Sequence, residues 1–107
     1  MEFRQLAQFD AGNARVFWSD VGGPSPWEMH PDCDEMLQVL EGEIGFEVLP
    51  ESGEAGIKTR VSAGSFFVVP RGCWDRQSLL TRTKEFYLTP GRSLHSTQDD
   101  PRRTTLT

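Results

Sequence analysis

The chain has 107 residues, a formal net charge of −5, 25% charged and 36% hydrophobic residues, the profile of one soluble globular domain that can bury a core without staples. Its basic residues form no continuous face, which argues against a nucleic-acid partner, and no apolar run approaches the roughly 20 residues of a membrane helix. The two cysteines, Cys33 and Cys73, form neither a CxxC pair nor a disulfide framework, and "MEFRQLAQFD" is too poor in apolar residues for a signal peptide; the expected location is the cytoplasm.

The elements expected along the chain are strands, short and separated by Gly or Pro turns. "ARVFWS" predicts a first strand over Arg15–Trp18, and "GGPSP" a loop. "DEMLQVL" predicts a strand from Glu35 to Leu40, closed by a tight turn at Gly42. In "EIGFEVL" Ile44, Phe46 and Val48 alternate with Glu43, Gly45 and Glu47, so one face should be buried. "PESGEAG" is a solvated hairpin loop and "IKTRV" alternates again. "SFFVV" is continuously apolar, which suggests burial on both faces. "CWDRQSLL" and "EFYLT" complete the set, with "TRTK" as the turn between them. Residues 1–91 thus form one domain, and residues 92–107 a polar C-terminal tail that frays or lies on the surface. The fold class is all-β, an antiparallel sandwich or barrel.

One stretch is out of keeping with a buried strand. "WEMHPDCDEMLQVLEGE", Trp27 to Glu43, holds six carboxylates and a histidine, and carboxylates are costly to bury unless paired or bound to a cation. Residues two apart on a strand share a face, so Glu28 and His30 point the same way. Asp75 and Gln77 likewise share a face with Cys73 and Leu79.

The spacings narrow the choice. Gly22, five residues, Glu28, one residue, His30, four residues, Glu35, six residues, Gly42 resembles the first motif of the cupin superfamily, with Glu28 where the first His usually stands. Gly64, Pro70, Gly72, Asp75 and Leu79 resemble the second motif, with Asp75 in place of the third His and Leu79 in place of Asn. Together the two motifs cover about half of the chain. The resemblance, closest to small bacterial cupins, implies a double-sheet antiparallel β-barrel of jelly-roll type.

That topology would bring Glu28, His30, Glu35 and Asp75 to one point in an apolar cavity. Three carboxylates in a low-dielectric pocket cannot all stay ionised. A divalent metal held by all four, Mn²⁺, Fe²⁺ or Zn²⁺, is the simplest remedy; protonation or a different orientation are the others. The usual two-His-one-carboxylate iron triad cannot be built from one histidine. His30 is also the candidate catalytic base. Asp32 and Asp34 read as turn or capping residues, Cys33 and Cys73 as small buried side chains, and His95 as solvated. Trp74, opposite in parity to Asp75, should face outward, and Tyr87 reads equally well inward or outward.

Three functions follow from the resemblance. One is a metal-dependent isomerase, lyase or oxygenase acting on a small oxygen-rich metabolite. The alternatives are metal-free acid–base catalysis at His30, as in the sugar epimerases of this fold, and a non-catalytic small-molecule-binding cupin with a degenerate metal site. An exposed Trp74 and the apolar "SFFVV" predict a homodimer.

Overall fold

The structure is a computed structural model that describes residues 2–9 and 12–103. Among the described residues ten strands follow in order: β1 (Glu2–Phe9), β2 (Gly12–Ser19), β3 (Trp27–Met29), β4 (Glu35–Glu41), β5 (Glu43–Leu49), β6 (Ile57–Ser62), β7 (Phe66–Val69), β8 (Trp74–Leu79), β9 (Thr83–Pro90) and β10 (Leu94–Ser96). A single 3-10 turn, Pro101–Arg103, comes last among the described residues. None of them forms a helix long and apolar enough to cross a membrane.

The strands make two five-stranded sheets, ordered β1-β2-β9-β4-β7 and β10-β3-β8-β5-β6. Every strand pairing is antiparallel. The expected double-sheet β-barrel is therefore the observed architecture.

The core sits where alternation predicts it. Leu37 and Val39 of β4, Ile44 and Phe46 of β5, Val61 and Val69 are all buried in one cluster. Phe46 meets Phe67 edge-on across the two sheets, with ring centroids 4.5 Å apart. Each such side chain contributes about 1.5–3 kcal/mol on leaving water. The β4–β5 turn depends on Gly42, whose φ is +89°. A Cβ there would also fall on the Arg82 carbonyl and lie 2.7 and 2.8 Å from the hydroxyls of Thr81 and Thr83, so only glycine suits the position.

Four expectations are corrected. The strand expected at Arg15–Trp18 runs over the longer β2, and β1 precedes it. β7 is not buried on both faces: Phe66 is 52% and Val68 46% exposed, because β7 ends its sheet and only its inner face meets the core. The segment after Gly91 is not simply a free polar tail. Leu94–Ser96 pairs with β3 as β10. Arg102 then reaches the carbonyls of Pro50 and Glu54, at 2.6 and 2.7 Å. Backbone pairing needs no apolar side chains, so a polar sequence can join a sheet edge without an alternation signal. Trp74 is half-buried rather than bare.

Candidate metal centre and cavity

The two glycine-rich motifs meet through the backbone. Gly72 donates to the His30 carbonyl at 3.0 Å, and Gly22 and Leu79 exchange bonds of 3.2 and 2.7 Å. Asp34 accepts from the Arg71 amide at 2.8 Å, and Asp32 from the Arg92 amide at 3.3 Å, so both tie their loop to distant loops rather than capping a turn of their own. The contacts of His30, Asp32 and Asp34 tie the connection between β3 and β4 to the β7–β8 turn and to the loop before β10.

His30 lies just past the end of β3 and keeps the parity of Glu28. Its Nε2 stands 3.1 Å from Glu28 Oε1 and 3.0 Å from Glu35 Oε2. The three ligand atoms all lie within 4.8 Å of one another. His30 is 2% and Glu35 5% exposed. Asp75 is the ladder partner of Glu28 on β8, is 5% exposed, and stands beside this group rather than within it. Thus the structure gathers Glu28, His30 and Glu35 tightly and leaves Asp75 at their flank.

Neighbouring side chains orient the group. Thr89 of β9 donates to Glu35 Oε2 at 2.6 Å. Ser93 Oγ lies 3.1 Å from His30 Nδ1. If Nδ1 donates to Ser93, Nε2 presents a lone pair towards the two glutamates, the tautomer a metal ligand requires.

The electrostatics describe a site with too much negative charge. Burial disfavours an imidazolium at His30, but the two glutamate oxygens outweigh it and raise the pKa to about 10. Burial, then the charges of Glu35 and Glu28, pushes Asp75 up to about 8, with His30 opposing. Protonation is an incomplete remedy. Nε2 carries at most one proton for two carboxylates, and neither oxygen lies on the axis of an Nε2–H bond, so the buried Nε2 has no aligned partner. Asp75 Oδ2 is also buried without one.

A cation suits these atoms. Two donors about 2.1 Å from one ion and at right angles are about 3.0 Å apart, which matches both Nε2–carboxylate distances. One imidazole with two carboxylates is a donor set for Mn²⁺, Fe²⁺ or Zn²⁺.

The carboxylates open onto a cavity of about 870 Å³, walled also by Arg15, Phe46, Gln77 and Tyr87. That volume is in the range of small-molecule sites. Tyr87 faces inward, which settles its parity; burial raises its pKa, and the adjacent Arg15 opposes the rise. His95, expected to be solvated, is exposed but stands at the cavity rim opposite Glu28 on β10. Cys33 and Cys73 are free and half-buried, and neither joins the cluster.

Sequence reasoning missed Arg15, Thr89, Ser93 and Glu85. Glu85 is 1% exposed, and both its oxygens lack a hydrogen-bond partner. Burial raises its pKa to about 7, with Gln77 opposing and Glu35 adding to the rise. Glu85, Tyr87 and Thr89 share one parity on β9, and that parity was the available signal.

No protein-family model and no curated protein matches the sequence. Solved structures do. A cupin superfamily protein from Desulfitobacterium hafniense superposes with a TM-score of 0.71 at 19% identity, over 85% of this chain and 77% of that one. A cupin-2 domain protein from Shewanella frigidimarina gives 0.65 at 21%, over 83% and 79%. An oxalate oxidase solved with glycolate gives 0.64 at 26%, over 78% of this chain but 45% of the oxidase. With two five-stranded antiparallel sheets, both glycine-rich motifs in place and these neighbours, the chain is a small protein of the cupin fold.

Proposed function

We propose that this cupin binds one divalent metal through Glu28, His30 and Glu35, with Asp75 at the flank, and that its cavity takes a small oxygen-rich metabolite. The observation that carries the reading is the buried Nε2 of His30, about 3 Å from two carboxylate oxygens and aligned with neither. The glycolate in the oxalate oxidase supports the size and oxygen-rich character of the ligand. When bound, the metal would supply Lewis-acid polarisation of a ligand oxygen. The protein's own groups have separate tasks. Thr89 holds Glu35, Ser93 sets the His30 ring, and Asp75 offers or takes a proton at Oδ2. Turnover of the ligand would be isomerase, lyase or oxygenase chemistry.

The test is a thermal melt of protein stripped with chelator, then supplied with Mn²⁺, Fe²⁺ or Zn²⁺. A ligand at a hundredfold excess over its dissociation constant stabilises the fold by about 2.7 kcal/mol, so Tm should rise with one of the three. His30→Ala should abolish the rise. No rise with any metal at neutral pH would sink the reading. It would leave a metal-free binding or acid–base pocket in which an imidazolium at His30 balances two glutamates.

A further inference from the structure

The cavity wall is not uniformly acidic. Arg15 on β2 is the ladder partner of Tyr87 on β9, both side chains line the cavity, and the guanidinium is close enough to the Tyr87 hydroxyl to act on its ionisation. Among the described residues Arg15 makes no ion pair. A half-buried guanidinium with no carboxylate partner, aimed into a cavity, is a receptor in search of an anion.

Its position relative to the carboxylates is fixed by the strands. Tyr87 is two residues from Thr89, which holds Glu35, and Leu37, the partner of Tyr87 on β4, is two residues from Glu35. Inner-face positions two apart are roughly 6.5 Å apart along a strand. The Arg15–Tyr87 row therefore lies one step along the barrel from the Glu28–His30–Glu35 group. A ligand with an oxygen head at that group and an anionic head at Arg15 must be short.

We infer that Arg15 and Tyr87 form an anion subsite for the carboxylate of a short-chain oxygenated acid whose other end faces Glu28, His30 and Glu35. The inference rests on reading the cavity as a ligand pocket, and it narrows the ligand to an acid. A carboxylate suits the wall better than a phosphate. It is planar, accepts two parallel N–H bonds from a guanidinium, and brings a single negative charge into a cavity that already holds four acidic side chains, Asp20, Glu28, Glu35 and Asp75. The Tyr87 hydroxyl supplies a further donor.

Malate serves as the probe, with its neutral dimethyl ester and inorganic phosphate as controls, titrated calorimetrically into stripped and Mn²⁺-treated full-length protein. Manganese affinity is measured separately for each variant. Malate should bind and the ester should not. Arg15→Gln should weaken malate at least tenfold and leave manganese affinity unchanged. Arg15→Lys should recover part of the loss, because charge returns without the planar fork. Malate affinity unchanged in Arg15→Gln overturns the subsite, as does equal binding of the ester, tighter binding of phosphate, or no malate binding in either form. Failure of the metal reading looks different: no manganese binds, yet malate still depends on Arg15.

Discussion

Glu85→Gln is the sharpest test of the electrostatic reasoning, because it touches neither the cluster at His30 nor the surface. Glu85 is 1% exposed and both carboxylate oxygens are unpartnered. Its pKa rises from 4.5 to about 7, through burial first, with Glu35 adding and Gln77 opposing. Between those two pH values the folded protein holds a proton that the unfolded chain has lost. Stability must then fall as pH rises through this window. The cost is absent below pH 4.5, grows to pH 7 and is full above it. At 1.36 kcal/mol per pH unit the full cost is roughly 3 kcal/mol. A neutral amide of the same shape escapes it, and its N–H can donate to Gln77 Oε1, which is also buried without a partner. Urea unfolding of chelator-stripped wild type and variant should show a gain of about 3 kcal/mol at pH 8 and below about 1 kcal/mol at pH 5. An equal gain at both pH values would refute the ionisation argument. A loss at pH 8 would mean that the carboxylate is ionised and paired in the folded state.

Four further outcomes are expected. Metal binding at pH 7 should release a proton from His30, whose pKa stands at about 10 in its absence; affinity should rise about tenfold per pH unit for each proton released, read by calorimetry in buffers of different ionisation enthalpy. Asp75→Asn should stabilise the stripped protein at pH 7 and lose that advantage below pH 3.8, since the carboxyl is pushed from 3.8 up to about 8; urea unfolding against pH checks both arms. Ser93→Ala should weaken metal affinity about tenfold or more without altering the fold, because it frees the Nδ1 side of His30; circular dichroism and metal titration read the two effects separately. The protein should sediment as a homodimer near twice 12.1 kDa, covering Met36, Phe66 and Val68; a mass of one chain at micromolar concentration argues against it.

The fold was legible wherever one face of a strand is apolar and the other is not. The first half of β5 is the clear case: Ile44 and Phe46 are buried as their alternation requires, whereas Val48 is only half-buried and Leu49, of the opposite parity, is buried at the strand's end. The glycine spacing carried the rest of the topology, since Gly42 and Gly72 occupy turns with φ of +89° and +81°. The site was legible as residues but not as geometry. Glu28, His30 and Glu35 converge as the motif implies, while the flanking place of Asp75 depends on strand spacing that no sequence interval encodes. β10 and Ser93 escaped because they act through backbone pairing and one hydroxyl. Arg15 escaped because β2 has apolar residues on both faces, Val16 and Trp18 against Phe17, so hydrophobicity does not say which face is inside.

β9 shows why both Glu85 and the outer surface were hard to foresee. Its inward side chains are Glu85, Tyr87 and Thr89, and the opposite face carries Phe86 and Leu88. That is the reverse of the rule that a half-buried strand hides its apolar face. The inversion has a cause on each side. Inward, a barrel that encloses a polar cavity needs hydroxyls and acids on its wall: Thr89 holds Glu35, and Tyr87 stands beside Arg15. Outward, ladder pairing sets Leu88 beside Met36 and Phe86 beside Gln38, and β7 extends the rows with Val68 and Phe66. The outer face of this sheet is thus apolar over three adjacent strands, more than scattered single hydrophobes would give. One strand therefore lines the pocket with its polar face and turns its apolar face to the outer surface of the sheet. Polar groups hidden on β9 weaken the monomer's core, as the cost of Glu85 indicates, and burial of Phe86, Leu88 and their neighbours against a second copy would offset that loss.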